Sequence, residues 1–118
     1  MVSSYMTTKT FAERKAEHEN MMRKYPTRTC IFLEKSRGSK LPEIDKNKFL
    51  VPNDLSVGQM MHVIRKRLSL DATKAIFLFT EHNTVPMTVQ TIGELYKQHA
   101  NEDGFLYMTY NTEDAFGG

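Results

Sequence analysis

The sequence is poor in cysteine and in long apolar runs, and each shortage excludes a class of protein. Its single cysteine, Cys30, cannot form an internal disulfide, so the chain is not a disulfide-stapled secreted scaffold. It has no secretory h-region, and no stretch approaches the roughly 20 apolar residues that span a bilayer. We therefore expect a soluble protein of a reducing compartment, the cytosol.

The net charge is also small, at +2, but it is unevenly distributed. Residues 1–48 hold eleven Lys and Arg against six Asp and Glu, whereas residues 49–118 hold five against eight. A basic half is typical of a solvated surface or of a protein with an acidic partner, such as tubulin tails or acidic lipid headgroups. Nucleic acid is not predicted, because the basic stretch "IRKRL" lacks an RNP-like sequence and an aromatic stacking platform.

At 118 residues, without internal repeats, the chain fits one domain that needs no metal, cofactor or disulfide to fold. Capping boxes predict three helix starts, at Thr10 with Glu13, Ser56 with Gln59 and Thr91 with Glu94. The first helix ends before Pro26. Its apolar face is thin, with Phe11, Met22 and Tyr25, so we expect it to lie on the domain rather than inside it.

The other two helices have clearer apolar stripes. In the second helix the predicted buried stripe is Val57, Met61, Ile64 and Leu68, with Met60, Val63 and Arg67 on a neighbouring stripe. In the third helix the stripe is Ile92, Leu95, Tyr96 and His99.

Four segments read as strands: "TRTCIFLEK", "KFLVP", "AIFLF" and "FLYMTY". The first is apolar on both sides and needs cover on both faces, from the core and from the N-terminal helix. The second ends at Pro52, which cannot donate to a ladder, so we place it at or near an edge.

The resulting order is helix, strand, strand, helix, strand, helix, strand, which predicts an α+β ubiquitin-like β-grasp with a four-stranded mixed sheet. Such a fold has its last strand in the centre. We divide the chain into an N-terminal helical extension packed on the core (1–26), the β-grasp domain (27–110) and a flexible C-terminal tail (111–118).

The tail "NTEDAFGG" has no packing use for its terminal glycines. It is either a frayed terminus or a substrate that other proteins thread through a narrow channel. Glycine suits the second role because a chain without a Cβ can enter a tight catalytic site.

Several segments together carry a family resemblance: "RKYPTR", "FLEK", "DKNKFLVPNDLSVGQ", "IRKRLSL", "GELYKQH" and "FLYMTYNTEDAFG". From about Phe11 to Gly117 the chain resembles the autophagy-related ubiquitin-like modifiers, the family of the GABA-receptor-associated protein and the microtubule-associated protein light chains. The resemblance implies a cytoplasmic protein with a lipid-anchored pool on autophagosome membranes.

The resemblance further implies trimming by a cysteine protease, then activating and conjugating enzymes that join the new C-terminus to phosphatidylethanolamine. The match of "AFG" implies cleavage between Gly117 and Gly118 and conjugation at Gly117, although the final "GG" leaves Gly118 as a competitor. Phe116 would guide processing, and Phe77 and Phe79 match positions that the processing enzymes contact.

A second implied activity is binding of peptides with an aromatic residue, two spacers and an aliphatic residue. Such a peptide can extend an exposed sheet edge, which "KFLVP" offers. The matched first pocket comprises Glu17, Met21, Cys30, Lys48, Leu50 and Phe105, and the second comprises Phe49, Val51, Pro52, Leu55, Met60 and Val63. Residues that match the basic contacts to acidic flanks of the peptide are Arg28, Lys46, Lys48 and Arg67.

The chain departs from the family pattern at four positions. Met21, Cys30 and Met60 replace residues that are more often an aliphatic, a proline and an aromatic, and Gly104 stands where an aromatic is common. Methionine is deformable, so these pockets would accept a broader or different set of peptides.

Two other functions compete with the conjugated modifier. An enzyme would use Cys30 as its nucleophile, but no catalytic signature surrounds it and it lies in a predicted buried strand, so we predict no catalytic residue. A ubiquitin-like adaptor that binds motif peptides, microtubules or membranes without being conjugated would share the fold and the pockets and differ only at the tail.

Overall fold

The computed structural model describes residues 3–112, and the calls on Phe116, Gly117 and Gly118 lie outside this range. Within it the predicted order of elements is confirmed, with one further short helix at the start. The elements are α1 (Ser4–Thr8), α2 (Phe11–Lys24), β1 (Arg28–Lys35), β2 (Lys48–Pro52), α3 (Val57–Leu68), β3 (Phe77–Thr80), α4 (Ile92–His99) and β4 (Leu106–Asn111).

The four strands form one mixed sheet in the order β2-β1-β4-β3. β1 pairs antiparallel with β2 and parallel with β4, and β3 pairs antiparallel with β4. The last strand is therefore central, and β2 is an edge strand, as the sequence predicted.

Each face of the sheet carries its own apolar cluster. Because side chains alternate along a strand, Ile31 and Leu33 of β1 point to one face and Cys30 and Phe32 to the other. The first face, which we call the α3 face, packs against α3 and α4. The second, the α2 face, is covered by the N-terminal helices and contains Tyr5, Cys30, Phe32, Phe105 and Tyr107.

Helix α2 lies on the sheet and begins with the predicted capping box; of its predicted apolar face, Met22 packs against the α2-face cluster, whereas the other two residues do not. Phe11 and Tyr25 are 43% and 46% exposed. The buried residue of α2 is Arg14, whose Nε donates to Asp103 Oδ2 at 2.8 Å. The Arg14–Asp103 ion pair and the packing of Met21 and Met22 against the cluster together orient this helix on the sheet.

Helix α3 begins with the predicted capping box of Ser56 and Gln59, but its buried stripe differs by one residue. Met60 is completely buried, whereas Met61 is only partly buried at the border of the core. The stripe of α3 is Val57, Met60, Ile64 and Leu68. At α4 the buried residues are Ile92 and Leu95, both in the predicted stripe.

Candidate functional site

A cavity of about 250 Å³ opens between α2 and the edge strand β2. All six residues of the predicted first pocket line it, and Lys46 and Phe49 complete the lining. These residues come from α2, β1, β2 and the segment before β4, so the sheet order brings distant parts of the chain to one place. The lining residues are Glu17, Met21, Cys30, Lys46, Lys48, Phe49, Leu50 and Phe105.

The outer side of β2 offers backbone groups of Lys48 and Leu50. Hydrogen bonds from Leu33 N to Asn47 O (2.8 Å) and from Asn53 N to Thr27 O (3.3 Å) show which opposed residues of the β1–β2 ladder are hydrogen-bonded pairs. Hydrogen-bonded pairs alternate with non-hydrogen-bonded pairs in an antiparallel ladder. The backbone N–H and C=O groups of Lys48 and Leu50 therefore face away from β1. Accordingly the carbonyl of Leu50 accepts a hydrogen bond from outside the ladder, from Arg28 Nη1 at 3.3 Å.

Residues of the predicted second pocket lie on the other face of the same strand and on α3. Val51 and Leu55 are half-buried at the border of the core, Pro52 is exposed, and Val63 is 38% exposed. Phe49 and Met60 are core residues, and Met60 has no exposed surface. Met60 therefore packs beneath the surface formed by Val51, Leu55 and Val63 and does not line it. Its predicted place in the lining of the second pocket is wrong.

Polar side chains join the N-terminal helices to the rim of the cavity. Lys48 Nζ pairs with Glu17 Oε1 at 2.7 Å, and the Tyr5 hydroxyl donates to Glu17 Oε2. Lys48 Nζ also lies 4.5 Å from the centroid of the Tyr5 ring. Burial raises the pKa of the Glu17 carboxyl, but hydrogen bonds from Lys48 and Tyr5 outweigh it and leave the pKa lowered. The cavity therefore has a charged rim above an apolar floor.

Cys30 forms part of that apolar floor. Its side chain is 3% exposed, and burial, with the nearby Glu17 carboxylate, raises the pKa of the thiol to about 11. A nucleophilic cysteine needs a lowered pKa and access to solvent, and Cys30 has neither. The thiol is therefore a small apolar packing group.

The predicted basic contacts surround β2 on the outside. Lys46 Nζ and the Arg67 guanidinium lie 5.4 and 5.6 Å from the centroid of the Phe49 ring. Arg67 also forms an exposed ion pair with Asp45 at 3.2 Å. With Arg28 on Leu50, these cations are grouped at the edge where an acidic segment would approach.

Phe77 and Phe79 lie on β3, at the opposite edge of the sheet from the cavity. Both side chains are half-buried, whereas Leu78 and Thr80 between and after them are buried. The alternation places the two rings together on one face of β3. Their predicted contact with processing enzymes would therefore use a surface separate from the cavity.

The unusual glycine at position 104 has a structural reason. Gly104 adopts a φ of +98°, and a Cβ there would collide with the imidazole of His18. His18 stacks on Tyr96, with ring centroids 6.4 Å apart. The histidine thus fills the space beside residue 104 that a larger side chain would need.

Sequence reasoning missed Tyr5, which is 4% exposed and stacks on Phe32 with ring centroids 4.8 Å apart. The only signal for its short helix was Ser3, whose side chain caps α1 by accepting from the Tyr5 amide at 3.2 Å. Among residues 3–112, no helix combines the length and apolar content needed to cross a membrane.

Comparison with known proteins agrees with this architecture. The family described as "Autophagy protein Atg8 ubiquitin like" matches residues 13–117. Autophagy-related protein 8b of Arabidopsis thaliana is 46% identical over 116 residues, which cover 98% of this chain and 94% of the plant protein. Autophagy-related protein 8 of Candida glabrata is 45% identical over 117 residues, covering 99% and 98% of the two chains.

A solved structure extends the agreement from sequence to fold. The crystal structure of Trypanosoma brucei ATG8 superposes with a TM-score of 0.90 at 39% identity, covering 96% of this chain and 97% of that one. The family match spans most of the chain, and both relatives align over nearly their whole length. The chain therefore belongs to the Atg8 family of ubiquitin-like autophagy proteins.

Proposed function

We propose that this protein is a conjugated autophagy modifier that recruits partners carrying an aromatic-x-x-aliphatic motif. The observation that carries the proposal is the cavity of about 250 Å³ beside the outward-facing backbone of β2. A peptide added to β2 would place alternate side chains on opposite faces of the sheet. Its aromatic residue would enter the cavity on the α2 face, and its aliphatic residue would reach Val51, Leu55 and Val63 on the α3 face.

The charges at the edge support an acidic flank on the peptide. Arg28, Lys46 and Arg67 lie around β2, and each exposed pair contributes about 0.5 kcal/mol. These contacts would raise the association rate and its salt dependence more than they would hold the complex. The Leu50 carbonyl already accepts from Arg28, and its second lone pair is open to a peptide amide.

Binding of a fluorescent aromatic-x-x-leucine peptide, followed by anisotropy, tests this part of the proposal. We expect Leu50→Ala to weaken peptide binding at least about tenfold. The Leu50 side chain lines the cavity, and its backbone is next to the strand that the peptide would form. Val89→Ala is the matched control, since Val89 is 76% exposed and outside the cavity lining. Equal affinity for both variants would contradict the proposed site.

The second part of the proposal concerns the tail. Hydrolysis of the Gly117–Gly118 peptide bond would free the Gly117 carboxylate and release Gly118. The activating enzyme would adenylate that carboxylate with ATP, releasing pyrophosphate, and the enzyme thiol would then displace AMP to form a thioester. Attack by the amine of phosphatidylethanolamine would then form an amide and release the enzyme thiol. Two acyl chains on one lipid give a firm anchor, so the protein would divide between cytosol and autophagosome membranes.

Mass spectrometry of the cellular protein tests conjugation. We expect a phosphatidylethanolamine adduct that lacks Gly118, and its loss in Gly117→Ala with peptide affinity unchanged. An adduct that retains both glycines would assign the attachment to Gly118. A carboxylate that stays unmodified during starvation would leave the non-conjugated adaptor as the function.

A further inference from the structure

A pair of histidines lies away from the cavity, where β3 ends and α4 ends. His82 follows β3 in a tight turn, and His99 is the last residue of α4. Their Nδ1 atoms are 3.3 Å apart, whereas their ring centroids are 5.5 Å apart. The two nitrogens are therefore the nearest points of the two rings and face each other.

This distance fits a shared metal ion as well as a shared proton. When one Nδ1 carries the proton, 3.3 Å is a long N–H···N hydrogen bond, just beyond the range of about 2.7–3.2 Å that is typical of N–H···O bonds. Two Zn–N bonds of about 2.0–2.1 Å at a tetrahedral angle place their nitrogens about 3.3–3.4 Å apart. The observed separation of His82 and His99 thus matches one edge of a tetrahedral zinc site.

The backbone on both sides of the pair is held in place. Asn83 adopts a φ of +61°, and its amide donates to the Thr80 carbonyl at 2.9 Å, which closes the turn around His82. Asn101 Nδ2 donates to the carboxylate oxygens of Glu81 at 3.2 and 3.3 Å. This bond joins the residue before His82 to the second residue after His99, so neither ring depends on a loose segment.

We propose that His82 and His99 form a two-histidine Zn²⁺ site on the surface of this protein. Both rings bind through Nδ1 as neutral imidazoles with the proton on Nε2, and water completes the tetrahedron. Residues 3–112 contain no group of three or more metal-binding side chains, so a partner's side chain can take the place of the water. The site is separate from the peptide cavity and from the proposed conjugation.

Calorimetric titration of ZnCl₂ into the tag-free full chain tests the site. We expect one ion per chain, and at least about a tenfold loss of affinity in His82→Asn and in His99→Asn. His62→Asn is the matched control, because His62 is an exposed histidine on α3 outside the pair. Mg²⁺ should not bind, because it prefers oxygen ligands in octahedral geometry.

A second set of measurements separates a loss of zinc binding from a loss of folding. Both histidines are at the surface, and we expect all three variants to unfold at the urea midpoint of the original chain. Zn²⁺ should shift the Nδ1 resonances of His82 and His99 and leave those of His62 unchanged. Equal zinc affinity in the original chain and the His82→Asn/His99→Asn double variant, or an equal loss in His62→Asn, would overturn the site.

Discussion

The two faces of the sheet are stabilised by different interactions. The α3 face is closed by apolar side chains such as Ile31, Met60 and Ile64, which have no exposed surface. The α2 face is aromatic and polar, and its helices are attached through Arg14 to Asp103 and through Tyr5 to Glu17. The first face is an apolar core, whereas the second carries charged side chains at the rim of the cavity. Substitutions on the α3 face can therefore test the stability of the fold, and substitutions on the α2 face can test the contacts around the cavity.

The largest expected effect is on the α2 face, from Asp103→Ala. Asp103 is completely buried and accepts hydrogen bonds from Arg14 Nε and the Phe105 amide, both at 2.8 Å, and from the Tyr107 hydroxyl. Removing it leaves the Arg14 cation without its partner, which costs about 3–5 kcal/mol. Urea denaturation measures the loss, and hydrogen exchange should rise first in α2. Uniform exchange across α2 and α3 would mean that the two faces are not separable.

On the α3 face, Ile64→Ala should lower the free energy of unfolding by about 2–5 kcal/mol, because it leaves a cavity in an apolar core. Ile64 is completely buried among the residues of that core. Urea denaturation is again the measurement. Peptide affinity, measured where the variant is folded, should fall less than in Leu50→Ala, since Ile64 is completely buried and is not among the residues that the peptide would contact on the α3 face.

Substitution of two glycines with positive φ should lower the free energy of unfolding by intermediate amounts, and the two positions can be compared directly. Gly38, at +77°, has open space where a Cβ would lie, so Gly38→Ala should cost about 1 kcal/mol of backbone strain. Gly104→Ala adds the collision with His18 and should cost about 2–4 kcal/mol in thermal or urea unfolding. Equal losses at the two positions would mean that His18 moves away without cost.

The smallest effect concerns the acid dependence of stability at the cavity rim. The lowered pKa of Glu17 means that its stabilising contribution is present above its unfolded pKa of about 4.3 and is lost as pH falls through the lower folded pKa. Glu17→Gln should therefore flatten the decline of unfolding free energy over this acidic range. Glu19→Gln, at an exposed position on the same helix, is the control and should follow the original chain.

The sequence was most informative where a local signal decides the structure. The capping boxes at Thr10 and Ser56 fixed the starts of two helices, and Pro52 placed β2 at an edge. In α3 the prediction placed Met61 in the buried stripe and Met60 on a neighbouring one, although both follow the helical period. Packing of α3 against the sheet buries Met60, and nothing in the local sequence indicates which of the two methionines is buried.

The errors on the α2 face share one physical cause. A five-residue helix such as α1 is far below the length at which helices form alone, so it depends on its tertiary contacts, through the Tyr5 ring and through hydrogen bonds from Ser4 to the Glu34 carboxylate. Likewise Arg14 is buried because Asp103, 89 residues away, accepts its hydrogen bond. The residues around the cavity were found through family resemblance, since hydrophobic periodicity does not distinguish a pocket wall from a core position.

The central position of β4 has a mechanical consequence. β4 is bonded to β1 on one side and to β3 on the other, so both ladders share a force that pulls the chain beyond Asn111 along the strand axis. Such a pull loads the hydrogen bonds of both ladders together in shear, whereas an edge strand would share the same force over one ladder only. Because two ladders share the load, a force applied through the C-terminal side of β4 meets more resistance than it would at an edge strand.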